Sequence, residues 1–306
     1  MRNVADGWTG TGNRGVVVAA TSRVGIVKAL AMVCATATTI AVAGCAAPEG
    51  GIDESTDEVM PESSALKNGS LPDGTAKWRG VVKVSVYWPS FGGWSVCTGV
   101  ITSQITMVTA AHCVTPAISA GSTGGHIQIA VTRETSPGVF QTLMTPSIAY
   151  AQYNPAYDGF AKHDVAVITA QTQWANITQQ DAIPIAKAAP SGSTMWALGY
   201  GNYNSGVNDF DGQGRAGQVT PVYGSQEYTF SSAPTGTILC SGDSGGPIKM
   251  ANGSWYIYGL LSLTTGGSGK CGSVAHWAPS ADNFAWFKST IGTAACLETL
   301  LGLFCW

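Results

Sequence analysis

From Ala65 onward the chain is built of short runs of Val, Ile, Thr, Tyr and Trp, cut by Gly, Pro, Ser and Asn. That texture restricts it to an all-β fold. Branched and aromatic side chains suit a pleated, half-buried surface, and breakers at this density stop most runs before a helix could extend. Val81 to Tyr87 alternates apolar and polar residues with a period of two, as do His126 to Val131 and Ser254 to Leu260, the pattern of strands with one face buried. One late segment, Asn283 to Ile291, carries its apolar residues at helical spacing instead. The stretch from Ala65 to Trp306 is long enough for one large or two small domains. It contains no internal repeat, no nucleotide-binding loop and no metal-ligand spacing, so neither metal nor cofactor is expected.

The chemistry is concentrated in Gly242-Asp243-Ser244-Gly245-Gly246-Pro247, two residues after Cys240. Flanking glycines leave the serine hydroxyl open and let the backbone bend so that two amides point into one small space. Donors placed in advance where negative charge will appear are what acyl transfer requires. A serine hydroxyl also needs a base to take its proton, and the base needs an orienting partner. Four histidines are available: His112, His126, His163 and His276. His112 closes Thr109-Ala110-Ala111-His112-Cys113 at the end of an apolar run. Asp164 stands just before the branched run Val165 to Ile168. The other three histidines lie in no motif and read as surface residues.

These segments, in the chain order His, Asp, Ser, resemble the chymotrypsin/trypsin family of serine peptidases. Cys97-Thr98-Gly99-Val100-Ile101 matches the family's C-G-G-S-L-I, and T-A-A-H-C is intact. Asp164 to Ile168 stands for D-I-A-L-L, and Gly199-Tyr200-Gly201 for G-W-G. The resemblance runs from about Leu66 to Ile291. It implies two six-stranded Greek-key β-barrels, with the site in the cleft between them and a C-terminal helix. It also implies Ser244 as nucleophile, His112 as general base and then acid, Asp164 as the residue orienting the imidazole, and the amides of Gly242 and Ser244 as the oxyanion hole. Of eight cysteines, Cys97 with Cys113 and Cys240 with Cys271 match the family's bridges, and Cys296 with Cys305 remain as a pair in a short C-terminal extension. Such bridges require an oxidising compartment.

The family places at the floor of its primary pocket the residue six before the nucleophile. Here that residue is Ile238. Ser262, Leu263 and Thr264 stand where the family has S-W-G. An apolar floor and a Thr on the wall imply uncharged substrate residues of small to medium size. Activation departs from the pattern. The family frees an I-V-G-G terminus whose ammonium pairs with the aspartate before the nucleophile, here Asp243. This chain offers Leu66-Lys67-Asn68-Gly69 instead, so cleavage after Ala65 is expected to free Leu66.

Upstream, Arg23 and Lys28 precede an uncharged apolar stretch from Ala29 to Gly44, which reads as a signal peptide over 1–44. Its end, Val42-Ala43-Gly44-Cys45, resembles a bacterial lipobox with Cys45 as the lipidated residue. Ordinary cleavage after Ala41-Val42-Ala43 is the alternative and leaves Cys45 unpaired. The tract 45–64 carries Glu49, Asp53, Glu54, Asp57, Glu58 and Glu62 and no Lys or Arg. It has too little apolar surface to bury a core and reads as a solvated linker. The domain over 65–306 holds eleven acidic and eleven basic residues, a balance that gives no reason to expect nucleic acid. A monomer is expected, acting on protein or peptide substrates at a cell surface or outer membrane through a lipid anchor, or else freely secreted. A zymogen-like, non-catalytic surface binding or adhesion module is the alternative function.

Overall fold

A computed structural model describes residues 70–118, 123–187, 192–201, 212–224, 227–230, 238–252, 254–265, 271–272, 274–292, 297–299 and 302–304. The signal peptide, Cys45, Leu66, Cys296 and Cys305 lie outside these residues.

The first half is a closed barrel. Its strands are β1 (Val81–Trp88), β2 (Gly93–Ile101), β3 (Thr106–Thr109), β4 (Gly124–Ser136), β5 (Val139–Tyr153) and β6 (Ala166–Ala170). They run in the order β1-β2-β3-β6-β5-β4, and β4 pairs back onto β1. Closure leaves no open sheet edge. The alternation read from Val81 to Tyr87 sets the register: Val82, Val84 and Val86 point into the barrel core with Ile101, Met107 and Ile129, while Lys83, Ser85 and Tyr87 are only half-buried.

The second half is a seven-stranded sheet. It is assembled from β7 (Met195–Gly199), β8 (Arg215–Val219), β9 (Val222–Gly224), β10 (Glu227–Phe230), and, further along, β12 (Pro247–Asn252), β13 (Ser254–Thr265) and β15 (Val274–Pro279). The order is β8-β7-β12-β13-β15-β10-β9, and among the described residues no ladder joins β8 to β9. Two short strands, β11 (Leu239–Cys240) and β14 (Cys271–Gly272), pair beside it. The Cys240–Cys271 disulfide crosses this pair, and Cys97–Cys113 ties β2 to the turn after β3.

One helix, α1 (Ser280–Ile291), follows β15. It begins three residues before the stretch recognised from apolar spacing. Pro279 precedes it in extended conformation, and Asp282 sits in its first turn, where a carboxylate suits the positive end of the helix dipole. Gly292, at φ 65, ends it, as glycine commonly does. Phe287 and Ile291 join a cluster with Val100, Val165, Ile257 and Leu260. Strands of both β-halves contribute to that cluster, so α1 seals the seam between them.

Candidate active site

The serine turn is held from both sides. The Ser244 carbonyl accepts Thr98 N–H at 2.8 Å, and the Gly242 carbonyl accepts the Thr98 hydroxyl at 3.0 Å. Gly245 N–H donates to Leu261 O at 2.7 Å and Gly246 N–H to Asp243 O at 2.8 Å. Gly245 has φ 79, and a methyl group there would collide with Thr109 Oγ1 and the Thr98 carbonyl. Only glycine tolerates both demands. Asp243 N–H is taken up by Cys240 O at 3.1 Å, whereas the amides on either side of it, Gly242 and Ser244, donate to no group among the described residues. The N–H groups of Gly242 and Ser244 are thus left open in an otherwise bonded turn.

His112 sits in a single 3-10 turn, Ala111–Cys113. Its backbone N–H donates to Asp164 Oδ1 at 2.9 Å and its ring Nδ1 to Asp164 Oδ2 at 2.7 Å. An ionised carboxylate only accepts, so Nδ1 carries the proton and Nε2 of the neutral ring is an acceptor. Asp164 is wholly buried. Its third donor is the Ser262 hydroxyl, 2.5 Å from Oδ2. A buried carboxylate is tolerable when charge-assisted bonds replace its water, and here three do.

His112 and Ser244 line one cavity of about 410 Å³. No hydrogen bond joins His112 Nε2 to the Ser244 hydroxyl among the described residues; such bonds commonly tighten only when substrate arrives. Ser262, Leu263 and Thr264 line this cavity together with Tyr157 and Phe160, and the Ser262 hydroxyl also lies 2.9 Å from Phe160 O. Ile238 is half-buried and is not among the lining residues.

Asp243 is buried behind the turn. Its Oδ1 accepts Gly201 N–H at 2.7 Å and its Oδ2 accepts Cys240 N–H at 2.8 Å. Burial nevertheless pushes its pKa up to about 7, opposed by those two amides and by the more distant Arg215. The acid rests on Gly199 and Gly201, where any side chain would strike it. Gly199 pairs with Arg215, and the next residue, Ala216, exchanges two backbone bonds of 2.9 Å with Ser70. Ser70 is therefore bridged one residue along the ladder from Gly199, on which Asp243 rests.

Sequence reasoning overlooked three roles. Ser262 lines the cavity as its place in the sequence implies, and its hydroxyl also bonds Asp164. His163 read as a surface residue, but it is half-buried and bonded to Asn283 at 3.0 Å. Lys249 carries no motif; it is fully buried and donates to the carbonyls of Lys77 and Arg79 at 2.8 and 2.9 Å. Among the described residues the single grouping of candidate metal ligands is Cys97, His112 and Cys113. Both sulfurs there form a disulfide, which removes the thiolates a metal would need.

A sequence profile described as trypsin matches residues 72–286, more than half of the chain and all of the site just described. The chain belongs to the trypsin family. It is a serine-peptidase-like protein of the chymotrypsin/trypsin type, mostly β with a C-terminal helix. Among solved structures it resembles neuropsin, a serine protease expressed in the limbic system of mouse brain, at 18% identity and a TM-score of 0.52. That match covers 71% of this chain and 96% of the other, and at this identity it speaks to fold alone. No curated protein matches the chain. No helix among the described residues is long and apolar enough to cross a membrane.

Proposed function

We propose that this trypsin-family chain is an exported serine endopeptidase in which Ser244, His112 and Asp164 form the triad. The observation that carries the reading is the 2.7 Å bond from His112 Nδ1 to a buried Asp164, with His112 lining the same cavity as Ser244. Ser244 Oγ attacks the scissile carbonyl while His112 Nε2 takes its proton. The oxyanion is received by the amides of Gly242 and Ser244. Asp164 holds the imidazolium and its tautomer. His112 then gives the proton to the leaving amine, and water deacylates the serine by the same route in reverse.

Ser262, Leu263 and Thr264 are assigned to the substrate side, with preference for uncharged residues of small to medium size. Apolar pockets discriminate by only about 1–3 kcal/mol per methylene, so the preference is broad. Activation follows cleavage after Ala65. The new Leu66 ammonium, four residues before the Ser70 bridge, would supply Asp243 with a counter-ion. Cys45 is assigned as the lipid anchor, 45–64 as the spacer and 65–306 as the peptidase domain, acting as a monomer on protein substrates near the membrane.

The test is hydrolysis of a peptide library by the purified domain beside Ser244→Ala and His112→Ala. Each substitution should lower kcat by at least about a thousandfold, since triad members act as a unit. Activity that survives Ser244→Ala would remove the assignment.

A further inference from the structure

Asp164 is presented by an unusual piece of backbone. Val165 N–H donates to His163 O at 2.7 Å, closing a three-residue turn centred on Asp164. His163 itself has φ 56, one of two non-glycine residues with positive φ among those described. Side chains with a Cβ seldom adopt that conformation, and it persists only where the surroundings enforce it.

What enforces it is a buried amide network reaching from α1. Asn283, 1% exposed, accepts at Oδ1 from His163 Nδ1 at 3.0 Å and from Asn154 Nδ2 at 2.8 Å. Its own Nδ2 donates to Pro279 O at 2.8 Å, which fixes which way the amide faces. Asn154, 6% exposed, bonds through its backbone N–H to Val165 O at 3.0 Å. Its Oδ1 accepts Ala156 N–H at 2.9 Å and its carbonyl accepts Tyr157 N–H at 3.0 Å. Thus one side chain on the helix grips the residue before Asp164, and Asn154 grips the residue after it. The same Asn154 starts the loop that carries Tyr157 and Phe160 to the cavity wall.

We propose that Asn283 is a positioning residue for Asp164, acting through His163 and Asn154 to fix the triad aspartate. This rests on the triad assigned above. The network has no acid or base function of its own. It converts the packing of α1 against the seam into the orientation of the carboxylate that aligns His112. A misplacement of that carboxylate by a fraction of an ångström reaches the reaction through the imidazole.

The experiment compares Asn283→Ala, His163→Ala, their double variant and His163→Asn, with the concentration of active sites set by titration. Each single alanine variant should lower kcat about tenfold, as small displacements of reacting groups do, with KM unchanged within about twofold. The double variant should be no worse than the poorer single, because both cut the same connection. His163→Asn, which tolerates positive φ and offers an amide donor, should lie closer to wild type than His163→Ala. The low-field proton resonance of the His112–Asp164 N–H, read in the resting protein, should move or broaden in all three alanine variants. If Asn283→Ala does not fold, the half-buried His163 carries the same comparison.

Wild-type kcat with a wild-type resonance in His163→Ala overturns the proposal, and so do losses that multiply in the double variant. A chain that cleaves nothing through Ser244, yet loses the resonance in these variants, would defeat the functional reading and leave the positioning role standing.

Discussion

Two buried ionisable residues behave oppositely, and each leaves a mark on stability. Asp243 has its pKa pushed up from 3.8 to about 7, above its unfolded value, by burial. The folded chain therefore holds a proton that the unfolded chain has released, so this contribution is present at acid pH and lost as pH rises through about 7. Lys249 has its pKa pushed down from 10.5 to about 7 by burial, with the Arg79 charge adding to it. Here the unfolded chain binds the extra proton between about 7 and 10.5, so stability rises with pH across that window. Denaturant titrations of the 45–306 chain should show the first slope vanish in Asp243→Asn and the second in Lys249→Met. They should also show the Asp243 slope shrink in a chain that begins at Leu66, whose ammonium would hold the carboxylate ionised. A slope unchanged by processing would count against that pairing.

At the scale of elements, the helix matters more than its length suggests. Phe287 is 1% exposed in the seam cluster that both β-halves share. Phe287→Ala should cost about 3–5 kcal/mol, the range for emptying a buried aromatic site, and thermal unfolding should remain a single transition at lower temperature. Separate melting of two units would show that the seam is not a joint core. The strands were legible because alternation of Val82, Val84 and Val86 with polar neighbours is a local pattern. The helix start was not: Ser280 to Asp282 carry no apolar signal, and Ser280 uses its hydroxyl on Ala186 O rather than as a cap. The second sheet was legible only in part, because its order threads β12 between β7 and β13, and no local run encodes such long-range pairing.

Over the whole molecule, the site was readable wherever chemistry lies in contiguous letters. Gly242 to Pro247 and Thr109 to Cys113 needed no fold to be recognised. What sequence could not give were the partners of those residues. Ser262 is 98 positions from Asp164 and Asn283 is 120 from His163, distances that only the closed barrel and the seam bring to contact. A polar residue in a strand or helix looks like solvent-facing decoration until its neighbours are known. Processing belongs to this scale as well. The Ser70–Ala216 bridge lies one residue along the ladder from Gly199, on which Asp243 rests, so the proposed cleavage after Ala65 would link the amino-terminal region to the chemistry proposed for Ser244.

The most direct measurement is fluorophosphonate labelling of the recombinant 45–306 chain, with intact mass and peptide mapping, beside Ser244→Ala. The account predicts one label, on Ser244, on a chain that starts at Leu66, and none on the variant. A correctly folded chain that takes no label, whether or not it is processed, would contradict it.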